Sequence, residues 1–429
     1  MATIFFIMLQ VNFLRDHKEV ALAGLEKRNF KQTELVDEAI SADDRRKKYQ
    51  FELDQNLAEM NKISREIGLL MKAGKKEDAE SAKTKTAEYK ENSQTLQQKL
   101  KEAESELQEL LYLIPNIPHE KVKAGSTPEE NEVVYQSHDV EGLGEGAIPH
   151  WELAKKYNLI DFELGVKIAG AGFPVYLGKG ARLQRALVQY FLDRNVDAGY
   201  MEVNPPQVVN EASGYGTGQL PDKEGQMYHV TGDNLFLIPT AEVPVTNIYR
   251  DVIIEEKDLP VKNTAFTQCY RREAGSYGAH VRGLNRLHQF EKVEIVRIEK
   301  PENSYAALEE MVAHVRSLLE ELQLPFRILR LCGGDMGFTA AMTYDFEVWS
   351  AAQEKWLEVS SVSNFETFQA NRLKCRYKGE GKTSFVHTLN GSAMALPRIM
   401  AALLENNQTG GGIKIPSKVA EYARFDLIN

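Results

Sequence analysis

From about residue 37 to 111 the chain contains no proline, the residue that a helix interior tolerates least. The second half of that run places small and apolar side chains at Ala79, Ala82, Thr86, Tyr89, Ser93, Leu96, Leu100, Ala103, Leu107 and Leu110. The spacing alternates three and four throughout, which is a heptad seam. The first half offers Leu53, Leu57, Met60, Ile63, Ile67 and Leu70 in a less strict phase, with a break at Gly68. The turn signal KAGKK at 72–76 lies between them. Two helices with facing seams and a tight turn predict an antiparallel hairpin, each arm about 50 Å long at 1.5 Å per residue.

Charge is distributed unevenly over this hairpin. Residues 62–101 hold ten Lys and Arg against six Asp and Glu, whereas the whole chain has a net charge of −10. An acidic chain with a basic distal arm is unsuited to coating nucleic acid and suited to gripping it locally. Taken alone, the hairpin reads more simply as a solvated spacer or a dimerising coiled coil.

The segment YLIPNIP at 112–118 ends the hairpin with two prolines and divides the chain into two predicted domains, residues 1–113 and 114–429. Beyond it, helical stretches alternate with runs rich in β-branched and aromatic residues at 264–271, 289–298, 344–349, 356–359 and 384–389. Strands close in sequence pair antiparallel, so the second domain is predicted to be α+β, an antiparallel sheet flanked by helices. Hydrophobic residues make up 43% of the chain, sufficient for a large core. The three cysteines show no metal-ligand spacing, and so few suit a reducing cytoplasm. The apolar run at residues 2–7 lacks a basic start, and no segment approaches a membrane span, so a cytoplasmic location is expected, with Met8 an alternative start.

The chemistry is concentrated in CYRREAG at 269–275 and RGLNRLHQFEKVE at 282–294, joined by a glycine-rich loop. Side chains alternate faces along a strand. Arg271 and Glu273 therefore share a face with Cys269, and Phe290, Lys292 and Glu294 share one on the next strand. Guanidinium groups suit phosphate oxygens, and an aromatic face suits a purine. An ordinary surface hairpin with cross-strand ion pairs would also contain such residues. His288 could be read as an acid–base group, but a carboxylate nucleophile ionised at pH 7 needs no base. Cys269 reads as a small buried residue, with a redox role left open.

These paired strands resemble motif 2 of the class II aminoacyl-tRNA synthetases. GYMEVNPP at 199–206 resembles motif 1, with Pro206 in the place of its hallmark proline, and LNGSAMALPR at 389–398 resembles motif 3. Within that class TAE at 240–242, GTGQLP at 216–221 and GGDMG at 333–337, together with the N-terminal hairpin, resemble the seryl-tRNA synthetases of bacterial type.

The resemblance implies serine activation by ATP, then transfer of serine to the 3′-end of tRNA(Ser), and of tRNA(Sec), held by the helical arm. It implies a homodimer formed through motif 1. Catalysis would rest on Arg271 and Arg398. Serine would be held by Thr240, Ala241, Glu242, Arg271, Glu294, Asn390 and Ser392. ATP would meet Arg271, Arg272, Glu273, Arg286, Phe290, Glu358, Val359, Ser360, Ser361 and Arg398. Phe290 and Arg398 would sandwich the adenine. Mg²⁺ would be ligated by Glu358 and Ser361, oxygen donors that suit a hard cation. These two residues are an odd number apart, so they converge only if the strand bulges or ends between them. The rival readings are a class II synthetase for another amino acid and a non-catalytic synthetase-like RNA-binding protein.

Overall fold

The computed structural model describes residues 11–141, 144–222, 224–274, 282–379 and 381–429. The apolar run at 2–7, Met8 and the glycine-rich loop at 275–281, with Gly275 and Gly278, lie outside the described residues. The chain divides into two compact units. Among the described residues, one comprises residues 24–29 and 116–429, and the other residues 11–23 and 30–115.

The smaller unit is built on α1 (Leu35–Lys72) and α2 (Lys76–Leu113), two helices of 38 residues each, about 57 Å long at 1.5 Å per residue. Gly74 turns the chain between them at φ +75°, where a side chain would be strained. All ten seam positions of α2 are buried or half-buried. Their partners in α1 are sparser, and a polar lock compensates. Asn56 donates to Ser93 Oγ at 2.6 Å and to Tyr89 O at 2.7 Å, and accepts from Asn92 at 3.0 Å. A buried asparagine in such a seam is satisfied in one register only. At the root, Asp43 is fully buried and bound by Arg15, Arg46 and Lys47, which hold its carboxyl below the usual range despite burial.

The larger unit is organised by an eight-stranded sheet. In chain order the strands are β1 (Glu132–Gln136), β2 (Met201–Glu202), β3 (Val261–Tyr270), β4 (Gln289–Glu299), β5 (Phe326–Arg330), β6 (Met342–Ser350), β7 (Lys355–Glu366) and β8 (His387–Ala395). Their spatial order is β1-β5-β6-β7-β8-β4-β3-β2. Every pairing is antiparallel except β2–β3, where a two-residue edge strand runs parallel. The run at 384–389 does not form one strand. Lys382–Phe385 belongs to a separate three-stranded sheet, and β8 begins at His387 after the buried Val386.

Alternation gives the sheet two different faces. Tyr344, Phe346 and Val348 of β6 and Val293 and Ile295 of β4 enter the main core with the helices Gly178–Asp197, Ser304–Leu322 and Leu396–Asn406. Asp345, Glu347, Lys292 and Glu294 point the other way, and on that face the chain builds its cavity. Among the described residues no helix is long and apolar enough to cross a membrane.

Candidate active site

A cavity of about 560 Å³ opens over the polar face of the sheet. Its walls include Thr240, Glu242, Arg271, Glu273, Arg286, Phe290, Glu358, Val359, Ser360, Ser361, Asn390, Ser392 and Arg398. Motifs that span more than 150 residues of sequence thus meet around one space. Ala241, Arg272 and Glu294 do not line it. Ala241 and Glu294 are fully buried behind the wall. Arg272 is exposed, and its backbone N–H bonds to Gln226 O at 2.8 Å.

The register of β3 and β4 pairs Phe290 with Cys269 and Lys292 with Thr267, so the predicted faces form. The Arg271 guanidinium lies 5.2 Å from the Phe290 ring centroid, and its Nε donates to Pro239 O at 3.3 Å. The ring contact and this one bond hold the guanidinium in place at the cavity wall. Glu273 and Arg286 form an ion pair at 3.0 Å across the open end. Arg398, at the start of the motif 3 helix, donates through Nε to Asn285 O at 3.0 Å and through Nη1 to Glu358 O at 2.7 Å.

The opposite end is a connected polar floor. Thr240 Oγ donates to Glu294 Oε2 at 3.1 Å and accepts from Lys292 Nζ at 2.8 Å. Asn390 Nδ2 donates to the other Glu294 oxygen at 2.9 Å, and Lys292 ion-pairs with Glu294. Glu294 therefore orients the residues that face the cavity. Glu242 lies beside it and accepts from Gln369 Nε2 at 2.6 Å, while Thr388 donates to Gln369 Oε1 at 2.8 Å. Burial, then the nearby Glu294 charge, raises the Glu242 carboxyl to about 7.

The third wall contains the bulge that convergence of Glu358 and Ser361 requires. Glu358 pairs with Glu347, but Ser360 pairs with Phe346 and Ser361 with Asp345, which leaves Val359 as the extra residue. Glu358, Ser361, Asp345 and Glu347 consequently face the same side. Asp345 Oδ1 is buried without a hydrogen-bond partner, and burial followed by the Glu358 charge raises its carboxyl well above the usual range. An orphaned carboxylate oxygen beside a carboxylate and a hydroxyl is a donor set for a hard cation. Among the described residues no three His, Cys, Asp or Glu side chains gather as a metal-binding group. A cation here would take its remaining ligands from phosphate and water.

Sequence reasoning missed several residues. Lys292 was on the identified face but given no role. Gln369 and Asp345 belong to strands and helices whose neighbours only the fold reveals. The alternation of two acids with apolar residues in TYDFEVW at 343–349 was the available signal for Asp345. Arg28 is the least expected. It is nearly fully buried and donates to four carbonyls, those of Asn116, Met336, Gly337 and Ala340. Asn116 adds bonds to Thr339 O and Phe365 O. Together they fix the loop whose residues Gly337, Thr339 and Ala340 line the cavity.

His288 does not line the cavity. Its ring stacks on Phe173, and Nδ1 lies 3.0 Å from both Arg271 O and Tyr228 Oη. Cys269 is fully buried, and burial pushes its thiol up, so it is no reactive thiolate.

Comparison with known proteins agrees with this geometry. The N-terminal domain of seryl-tRNA synthetase matches residues 8–118, and the class II tRNA synthetase core domain (G, H, P, S and T) matches residues 228–407. A serine–tRNA ligase of Salinibacter ruber is 49% identical, covering 98% of this chain and 99% of its own length. One from Chlorobaculum parvum is 44% identical, covering 98% and 100%. The crystal structure of seryl-tRNA synthetase from Pyrococcus horikoshii complexed with ATP superimposes with a TM-score of 0.89 at 31% identity, covering 98% of this chain and 99% of that one. With full-length relatives at such identity, and with both of its units matched, the chain belongs to the seryl-tRNA synthetase family of class II aminoacyl-tRNA synthetases.

Proposed function

We propose that the chain is a serine–tRNA ligase whose cavity holds serine at the Thr240–Glu242–Asn390 end and ATP at the Arg271–Phe290–Arg398 end. The observation that carries this reading is their union in one cavity, with a polar floor sized for a small hydroxylated ligand and an arginine–aromatic wall suited to a nucleotide. The ATP complex of the Pyrococcus relative supports the nucleotide end.

In the first step a serine carboxylate oxygen attacks the α-phosphorus in line. A new O–P bond forms, the bond to the bridging oxygen breaks, and pyrophosphate leaves with its electron pair. The residues act by placement and charge rather than covalently. Arg271 would bridge the carboxylate and the α-phosphate, where its planar fork suits both. Arg286 and Arg398 would meet the departing phosphates and the adenine face, and Glu273 the adenine amino group. Glu358 and Ser361, with Asp345 adjacent, would hold Mg²⁺, which when bound supplies charge neutralisation along the phosphates. In the second step the 3′-hydroxyl of the terminal adenosine attacks the seryl carbonyl, and AMP leaves.

Glu242 would accept the serine ammonium, and Thr240, Asn390 and Ser392 the hydroxyl end. Such a site disfavours alanine, because its buried polar groups would be left unpaired. The reading makes a pH prediction with a definite sign. The ligand-free site keeps Glu242 protonated below about 7, and an ammonium needs its anion. Serine kcat/KM is expected to be level at higher pH and to fall about tenfold per unit below about 7. E242Q should give a low and pH-independent value. A parent profile with no break between about pH 6 and 8 would rule out this role.

The stability consequence runs separately. The native state keeps a proton that the unfolded chain releases between the ordinary carboxyl range and about 7, so this group's contribution declines as pH rises through that window. Glu366 is raised to about 7 by burial as well. Asp345 is raised too, so melting curves would mix Glu242 with other buried carboxyls, whereas the serine profile reports Glu242.

The same reading includes cytoplasmic tRNA(Ser), and tRNA(Sec), bound by the helical hairpin, and a homodimer. For the dimer, the support is an apolar edge. Met201 of β2 is 60% exposed and Val196, near the end of the preceding helix, 44% exposed, beside Pro206. M201E is expected to shift the sedimentation equilibrium from dimer toward monomer. A parent chain that sediments as a monomer at micromolar concentration would remove the dimer from this account.

A further inference from the structure

Outside the cavity, the most extensively bonded buried carboxylate is Glu405, which lies on the same helix as Arg398. Its Oε1 accepts from the His150 backbone N–H at 3.0 Å, His150 Nδ1 at 2.7 Å and Gln353 Nε2 at 3.2 Å. Its Oε2 accepts from Ser350 Oγ and from Ala352 N at 3.3 Å. A carboxylate with five donors fixes the tautomer of the histidine it faces. His150 must carry its proton on Nδ1, so Nε2 is an acceptor. That nitrogen takes the backbone N–H of Leu284 at 2.8 Å. Both His150 and Glu405 are fully buried.

The neighbouring residues close a circuit. Asn285 donates through Nδ2 to Gln353 Oε1 at 2.8 Å, and Asn285 O accepts from Arg398 Nε at 3.0 Å. Gly283 has φ +67°, and a Cβ there would lie 2.2 Å from His150 Nε2. Glycine is thus required both by the backbone and by the approach of the ring. Leu284, Asn285, Arg286 and Arg398 line the cavity, whereas His150, Gln353 and Glu405 do not.

We infer that His150 and Glu405 are positioning residues for the nucleotide end. They tie the segment that carries Arg286 and leads from the motif 2 loop into β4 to the helix that carries Arg398. The inference rests on the proposed reading of that end as the ATP site. Two long arginine side chains from separate elements must meet one ligand, and a displacement of about 1 Å in either is costly. The serine floor is built from other residues, and among the described residues it shares no hydrogen bond with this circuit.

The test is steady-state pyrophosphate exchange with ATP and serine varied separately, beside direct ATP titration of the folded protein. H150N removes the acceptor for Leu284 N and is expected to raise the ATP KM roughly ten- to a hundredfold, with the serine KM within about threefold. H150Q, whose amide oxygen can reach the Nε2 position, should recover most of the loss. G283A perturbs the same contact from the loop side without opening the core and should show the same ATP-selective change. Equal ATP KM in H150N and the parent, or a rise in both KM values that H150Q does not relieve, would overturn the inference. Failure of the parent itself to bind ATP would instead overturn the reading of the site.

Discussion

Replacing Arg271 with alanine is expected to lower kcat/KM for serine-dependent pyrophosphate exchange by about 10³-fold, the scale of losing a preorganised charge stabiliser. The expectation follows from how completely the side chain is prepared. The contact with the Phe290 ring and one bond to Pro239 O hold it in place before any ligand arrives, so little reorganisation is required at the transition state. R271K keeps the charge and loses the fork, and should recover no more than about tenfold of the loss. The loss should fall mainly on kcat, because the same guanidinium is asked to meet the α-phosphate as its geometry changes. Circular dichroism should show both variants folded, since Arg271 is only half-buried and forms none of the core. An R271A activity within tenfold of the parent would remove Arg271 from the reaction.

Shortening the hairpin should produce a comparably large effect on the other half-reaction. The helices pair so that Asn56 meets Ser93 and Tyr89, and removal of residues 60–88 with a short glycine-containing turn in their place keeps that lock. The deletion discards seven of the ten cations of the 62–101 segment. Charging of tRNA(Ser) is expected to fall about 100-fold or more and to lose much of its salt dependence, because backbone contacts supply affinity through counterion release. Pyrophosphate exchange without RNA should stay within about twofold, since the cavity contains no residue of the hairpin. Unchanged charging would deny the hairpin its RNA role. Equal loss in both assays would show instead that the truncation damages the catalytic unit.

Local rules reached far into this molecule where geometry is periodic. The heptad spacing of 79–110 identified the buried seam residue by residue. Strand alternation placed Phe290, Lys292 and Glu294 on one face, and the odd separation of Glu358 from Ser361 required a bulge or a strand end, of which the fold has the bulge, at Val359. Long-range closure was not legible. Arg28 and the loop at 336–340 are some 310 positions apart, and a lone arginine in a helix end gives no sign that it will satisfy four carbonyls. His150 and Glu405 are separated by 255 positions. Nothing in the local sequence marks Gln369, whose amide donates to Glu242. Arg272, which the resemblance implied at the nucleotide, follows strand alternation and does not line the cavity. The parallel pairing of β2 was also unreadable, because two residues are too few to show a period.

The most direct test of the central claim is pyrophosphate exchange into ATP measured with each of the twenty amino acids separately, with Mg²⁺ and without RNA. The account predicts exchange stimulated by serine alone and reduced to a low, pH-independent level by E242Q. Exchange stimulated by a different amino acid, or none with any amino acid from protein that is folded and binds ATP, would contradict it.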